Sequence, residues 1–289
     1  MRAANVIEIV TPKRFILNGL WLGPKKPKTV VIWVHGLGST MFGKLKIADE
    51  LVDSKTAVLV FNNRGHDKVT HTPHASGVFN KSLQGGAAHE VFTDCVDDIQ
   101  GTINFVRKSG VKNVYLAGHS TGCQKSTYWA AKKGKGVKGI ILLAPMSDYS
   151  ALHTQYKKKK IERALRVART LVRQGKPHVL LPNNVWGWPW LADAQRFISL
   201  YEGKGAEEIF TYWNPNKNPG TLKSVKIPLL ILLGESDEYA DRPAKKIAAW
   251  FQKYLTQSRQ QVLIIPKVKH SFKGAEKAVG HAIRGFITT

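Results

Sequence analysis

The sequence predicts an α/β protein built on a mostly parallel sheet of about eight strands, flanked by helices and interrupted by a helical insertion after the sixth strand. Three observations predict it. Short apolar runs alternate with helix-period segments from about residue 29 onward, the pattern of successive β-α-β units. The alternation stops between about Tyr149 and Trp213 and resumes at Val225. A chain of 289 residues that is 43% hydrophobic can also bury one large core.

The elements follow in order. Val6 to Val10 and Arg14 to Trp21 read as an antiparallel start. The strand-like runs Thr29 to Val34, Ala57 to Phe61, Val114 to Ala117, Val137 to Leu143, Leu229 to Leu233 and Val262 to Ile265 read as the parallel remainder. Helices are expected near Leu45 to Val52, His89 to Arg107, Cys123 to Lys132, Pro243 to Tyr254 and Glu276 to Ile287. The core is therefore expected in two parts, 1–148 and 214–289, with a lid at 149–213. An insertion at that point lies over the C-terminal strand ends, where doubly wound sheets bind ligands. Within it, Lys159, Arg163, Arg166 and Arg173 share one helical face and Ile161, Leu165, Ala168 and Val172 the opposite one. The basic face is either solvated or a collar for an anionic substrate or acidic membrane.

Charge and composition narrow the classes. Forty-four Lys plus Arg against 20 Asp plus Glu give a formal net charge of +24, which attracts polyanions without reading them. The basic residues are spread over many segments and form no nucleic-acid-binding motif, so no specific nucleic-acid partner is expected. No apolar run is long enough to span a bilayer, and the N-terminal run Val6 to Val10 is interrupted by Glu8 with no cleavage site after it. Two cysteines, Cys95 and Cys123, make free thiols and a cytoplasmic setting the expectation. A monomer or a homodimer is compatible with these features.

The chemistry concentrates at VYLAGHSTG, which sets Ser120 between Gly118 and Gly122, directly after an apolar strand and before a helix. Such a turn raises a serine hydroxyl above the sheet. A serine needs a base and an orienting acid to act as a nucleophile. Asp237, in GESD after one strand, and His270, in KVKHSF after the next, fall at strand ends in the order serine, acid, histidine. Backbone N–H groups for a developing oxyanion are available at Thr121 and at Leu37 in HGLG.

Together HGLG, NNRGHD, GHSTG, the Asp of GESDEY and the His of VKHSF resemble the α/β-hydrolase superfamily over nearly the whole chain outside the lid. GHSTGCQ, APMSD and DEY resemble more narrowly the branch that includes fungal siderophore esterases. The resemblance implies the α/β-hydrolase fold and serine carboxylesterase chemistry without a cofactor, on a small-molecule ester that is bulky, aryl or anionic. It leaves thioesterase, amidase or acyltransferase activity open, as well as a non-catalytic ligand or polyanion binder. Asp148 is an alternative acid, because it follows the strand Gly139 to Leu143, after which some members of the superfamily place the acid. His119, Trp186, Trp188 and Trp190 are candidate pocket residues, the tryptophans serving either as an aromatic wall or as staples between lid and core. His71 and His74 invite a zinc reading, but no further ligand completes a set, and no metal is expected.

Overall fold

The computed structural model describes residues 3–255 and 259–288; the expected core parts extend beyond these at residues 1–2, 256–258 and 289. The chain runs through β1 (Asn5–Val10), β2 (Ile16–Leu22), β3 (Thr29–Val34), α1 (Leu45–Leu51), β4 (Thr56–Phe61), β5 (Thr70–Thr72), β6 (Leu83–Gly85), α2 (Cys95–Lys108), β7 (Asn113–His119) and α3 (Thr121–Lys132). It continues with β8 (Gly139–Leu143), α4 (Asp148–Gln155), α5 (Lys158–Arg173), α6 (Ala194–Tyr201), α7 (Gly220–Ser224), β9 (Leu229–Gly234), α8 (Ala244–Tyr254), β10 (Gln260–Ile265) and α9 (Glu276–Thr288). Eight strands form one sheet in the order β1-β2-β4-β3-β7-β8-β9-β10. The pairs β1 to β2 and β2 to β4 are antiparallel, and every later pair is parallel.

Burial explains the strand sequences. The inner strands β4 (TAVLVF), β8 (GIILL) and β9 (LLILLG) are buried at every position, as parallel strands covered on both faces must be. The edge strand β1 (NVIEIV) buries only Ile9 fully. One core cluster lies between the sheet and α2, α3 and α8, the other between the sheet and α1 and α9. The long segment after β4 contains the small antiparallel pair β5 and β6. Its histidines are packed on aromatics: His71 stacks on Phe79 and His74 meets Phe15 edge-on. Among the described residues no group of three or more His, Cys, Asp or Glu is placed to hold a metal, and no helix is long and apolar enough to cross a membrane.

The segment between β8 and β9 carries α4 to α7 and a third apolar cluster of its own, which includes Ile161, Ala168, Trp186, Phe197 and Tyr201. Helix α5 turns Ile161, Ala164 and Ala168 inward and leaves Lys159, Arg163, Arg166 and Arg173 exposed. Val172, expected on the inner face, is exposed, because the buried stripe ends a turn earlier at Ala168. Ile209, Phe210 and Tyr212, near the end of the expected lid, pack into the first cluster of the sheet.

A fully buried string of alternating charges ties this segment to the sheet. Lys125 Nζ on α3 meets Glu90 Oε1 at 2.5 Å, and Glu90 Oε2 meets Arg196 Nη2 of α6 at 2.8 Å. Arg196 Nη1 then reaches Glu207 at 2.7 Å. The NNRGHD loop supports one end: Asn63 Oδ1 accepts from Lys125 Nζ, Arg64 pairs with Asp98 at 2.7 Å, and the bare face of Gly65 leaves room for the Glu90 carboxylate. Removing one member of such a string strands the others in a medium that cannot solvate them. Arg196→Met is expected to lower stability by about 3–5 kcal/mol, whereas Arg169→Ala, which breaks the exposed pair with Glu202, should cost less than about 1 kcal/mol. Urea midpoints of the two variants check this contrast.

Candidate active site

The strand β7 ends at His119, and α3 begins at Thr121, so the chain reverses within one residue. That residue is Ser120, held at φ 56° and ψ −128°. A non-glycine residue is strained there and persists only where its surroundings overdetermine it. Both flanking glycines are required by contact. A β-carbon on Gly118 would collide with the Gly122 carbonyl, and one on Gly122 would collide with the Val34 carbonyl of β3. The turn is pinned by Ser120 N donating to Leu143 O at 3.0 Å and Cys123 N donating to Ser120 O at 2.8 Å. Cys123 itself is packed, its thiol donating to the Gly118 and Leu143 carbonyls and pushed well up in pKa by burial.

Asp237 lies three residues beyond the end of β9, and His270 lies in the loop after β10. His270 Nδ1 and Asp237 Oδ2 are 2.8 Å apart, while Asp237 Oδ1 accepts from Tyr239 N at 2.9 Å. The neighbouring acids do other work: Glu238 accepts from His270 N, and Glu235 accepts from Lys267 N. Asp148, the alternative acid, accepts from Gln124 Nε2 at 2.7 Å and makes no hydrogen bond to His270. Its place at the start of α4 turns it toward α3 instead. Ser120 Oγ makes its hydrogen bond to Met146 Sδ at 3.5 Å, and among the described residues it makes none to His270. Both residues nevertheless line one cavity.

His119 supports the other side of that loop, with Nε2 2.9 Å from the His270 carbonyl. The carbonyl can only accept, so Nε2 carries the proton. Burial first, then the Lys44 and His270 charges, hold the His119 pKa well below the usual imidazole value, and the ring stays neutral.

The HGLG loop lies against the turn, since a β-carbon on Gly36 would stand 2.9 Å from Ser120 Cβ. His35 braces it: Nδ1 contacts Gly36 O at 2.9 Å, and Nε2 accepts from Asn63 N at 3.3 Å. One ring nitrogen must donate and the other accept, which only a neutral imidazole does. Burial, with the Lys125 ammonium nearby, lowers the His35 pKa to about 3. The Leu37 and Thr121 N–H groups donate to no other described group; Leu37 follows Gly36, which lies against Ser120, and Thr121 opens α3 directly after it.

The cavity has a volume of about 210 Å³ and draws Gly36, Leu37, Lys44, His119, Ser120, Met146 and His270 from the sheet side. The inserted segment adds Ala151, Leu152, Tyr156, Trp186, Trp190 and Tyr201. Of the three tryptophans, Trp186 is buried and Trp190 is 36% exposed, and both line the cavity. Trp188 does not: it is 74% exposed and faces Lys68, whose ammonium stands 5.8 Å from its ring centre. Lys44, Tyr156 and Tyr201 were not legible from sequence, because no short motif surrounds them. Met146 and Tyr239 do sit inside APMSD and DEY.

The neutral His35 carries a pH signature. Below about 6.5 the unfolded chain takes up a proton at this position that the folded chain refuses, so stability falls as pH falls. Between pH 7 and 5 the loss is about 2 kcal/mol for such a group. Urea midpoints of His35→Asn at the two pH values should show a drop smaller by about that amount than in the unaltered protein.

Comparison with solved structures places the fold. The siderophore hydrolase EstB from Aspergillus fumigatus superposes with a TM-score of 0.70 at 15% identity, covering 100% of this chain and 98% of its own. Est1E from Butyrivibrio proteoclasticus, solved with ferulic acid bound, gives 0.65 at 18% identity and 98% coverage of both chains. The Pyrococcus furiosus esterase Pf2001 gives 0.65 at 15% identity, covering 99% of this chain and 91% of its own. The chain has the α/β-hydrolase fold. No curated protein matches it significantly in sequence. The family described as "Protein of unknown function (DUF1749)" matches residues 82–286, well over half of the chain, and the protein belongs to that family.

Proposed function

We propose that the protein is a serine carboxylesterase in which Ser120 is the nucleophile, His270 the general base, Asp237 the orienting acid, and the Leu37 and Thr121 N–H groups the oxyanion donors. The observation that carries the reading is a single one: Ser120 and His270 line the same cavity while Asp237 holds the far ring nitrogen of His270 at 2.8 Å. The esterases among the fold relatives support ester hydrolysis as the reaction.

In this reading an entering ester displaces the weak contact of Ser120 Oγ with Met146. His270 Nε2 takes the hydroxyl proton as Oγ bonds the ester carbon, and the carbonyl oxygen collects its charge between the two free N–H groups. Asp237 keeps the other ring proton on Nδ1 and stabilises the imidazolium. The alcohol leaves with the proton from His270, and water, activated the same way, releases the acid and restores Ser120. The segment 149–213 serves as the lid, since it supplies one wall of the cavity. That wall is aromatic, with Tyr156, Trp186, Trp190 and Tyr201, and suits a bulky or aryl group. Lys44, whose Nζ donates to Ser271 O at 2.8 Å, is the one cation lining the cavity among the described residues and suits an anionic one.

Hydrolysis of p-nitrophenyl esters tests the assignment. Ser120→Ala and His270→Ala are each expected to lower kcat by about 10⁴-fold or more, and Asp237→Asn by a similar factor through loss of the correct tautomer. Retained activity in Asp237→Asn, with loss in Asp148→Asn, would transfer the role of acid to Asp148.

A further inference from the structure

The reaction just proposed leaves two buried polar side chains in the same cavity, Asp148 and Tyr201, and a third behind them, Gln124, unused. Asp148, the first residue of α4, lines the cavity and is only 7% exposed. Its Oδ2 accepts from Gln124 Nε2 at 2.7 Å, and among the described residues nothing hydrogen-bonds its Oδ1. Gln124 lies on α3, four residues after Ser120, is 1% exposed, and has its Oε1 buried without a partner. Tyr201, the last residue of α6, lines the cavity too, and its hydroxyl bonds no described group. Met146, Ala151 and Leu152 make the surface beside them apolar, and Gln155 and Tyr156 also line the cavity. A pocket that leaves polar groups unpaired in such a wall penalises a purely hydrocarbon occupant, because each unmade hydrogen bond costs about 1–3 kcal/mol.

The protonation state fixes what these groups can bind. Burial, together with Glu207, Glu208 and Glu90 and opposed by Arg196, raises the Asp148 carboxyl well above the usual carboxylate range and favours its neutral form. Burial and the adjacent Asp148 likewise push the Tyr201 phenol up, so it keeps its proton. Because Oδ2 of Asp148 accepts from Gln124, the acid proton resides on Oδ1. Two O–H donors therefore line this part of the cavity, which matches an uncharged oxygen acceptor and not an ammonium group.

We propose that Asp148 and Tyr201, with Gln124 fixing the carboxyl, form a specificity site for esters that carry a second oxygen acceptor, such as a ketone, ether or hydroxyl, apart from the scissile group. The proposal rests on the carboxylesterase reading of the same cavity, and it assigns Asp148 to substrate selection in place of the triad.

The test compares kcat/KM for p-nitrophenyl heptanoate with its 4-oxo, 5-oxo and 6-oxo analogues, using the full chain. At least one oxo-ester is expected to be preferred by about tenfold, the worth of one well-placed hydrogen bond. Asp148→Leu should bring that ratio to about one or below, Asp148→Asn should keep it within about threefold because its amide still donates, and Tyr201→Phe should lower it. Tyr201→Phe removes a single oxygen and keeps the ratio readable should Asp148→Leu not fold. Hydrolysis of heptanoate with no preference for any oxo-ester overturns this proposal alone, as does a preference that survives in both Asp148→Leu and Tyr201→Phe. Failure to hydrolyse any of the four overturns the carboxylesterase reading together with it.

Discussion

The rest of the site depends on the strained turn at Ser120. A strand must end and a helix begin within one residue, and the left-handed backbone there is bearable only because Gly118 and Gly122 let β7, α3 and β3 close to carbonyl contact. Everything else is placed relative to that turn. The HGLG loop touches Ser120 through Gly36, the Leu143 carbonyl of β8 pins its amide, and Met146 just beyond β8 meets its hydroxyl. The parallel sheet contributes by repetition: each strand ends at the same edge, so β3, β7, β8, β9 and β10 deliver a loop apiece to one cavity.

A second constraint joins the helical segment to this frame. The string Lys125, Glu90, Arg196, Glu207 balances two positive charges with two negative ones, entirely out of water. Lys125 belongs to the helix that starts at the turn, and Arg196 belongs to the segment that supplies the aromatic wall. A buried charge tolerates little misplacement of its partner, so the string fixes how far the wall stands from the serine. The neutral His35, lowered in pKa partly by Lys125, links the same string to the HGLG loop.

The sheet was legible because strands buried on both faces must be apolar throughout, and its eight strands fall close to the runs read from sequence. Ser120, Asp237 and His270 were legible as candidates because loops at strand ends carry them within short, patterned stretches. The small β5 and β6 pair was not, since three-residue strands carry too little periodicity to register. The buried charges were equally hidden: Lys125 and Arg196 look like ordinary solvated helix positions until distant Glu90 and Glu207 are folded onto them. The NNRGHD loop was recognised as a motif, yet its work in supporting Lys125 and Glu90 required three dimensions. Trp188 illustrates the limit on aromatic clusters, because WGWPW does not say which ring turns inward.

If Ser120 is the activated nucleophile of this site, a covalent serine probe must find it. The folded protein is treated with a fluorophosphonate, digested, and mapped by peptide mass spectrometry. One adduct is expected, on the peptide containing Ser120, forming quickly in the unaltered protein and at least about a hundredfold more slowly in His270→Ala. An unlabelled Ser120 in the folded protein, or a label rate indifferent to His270, would contradict that assignment.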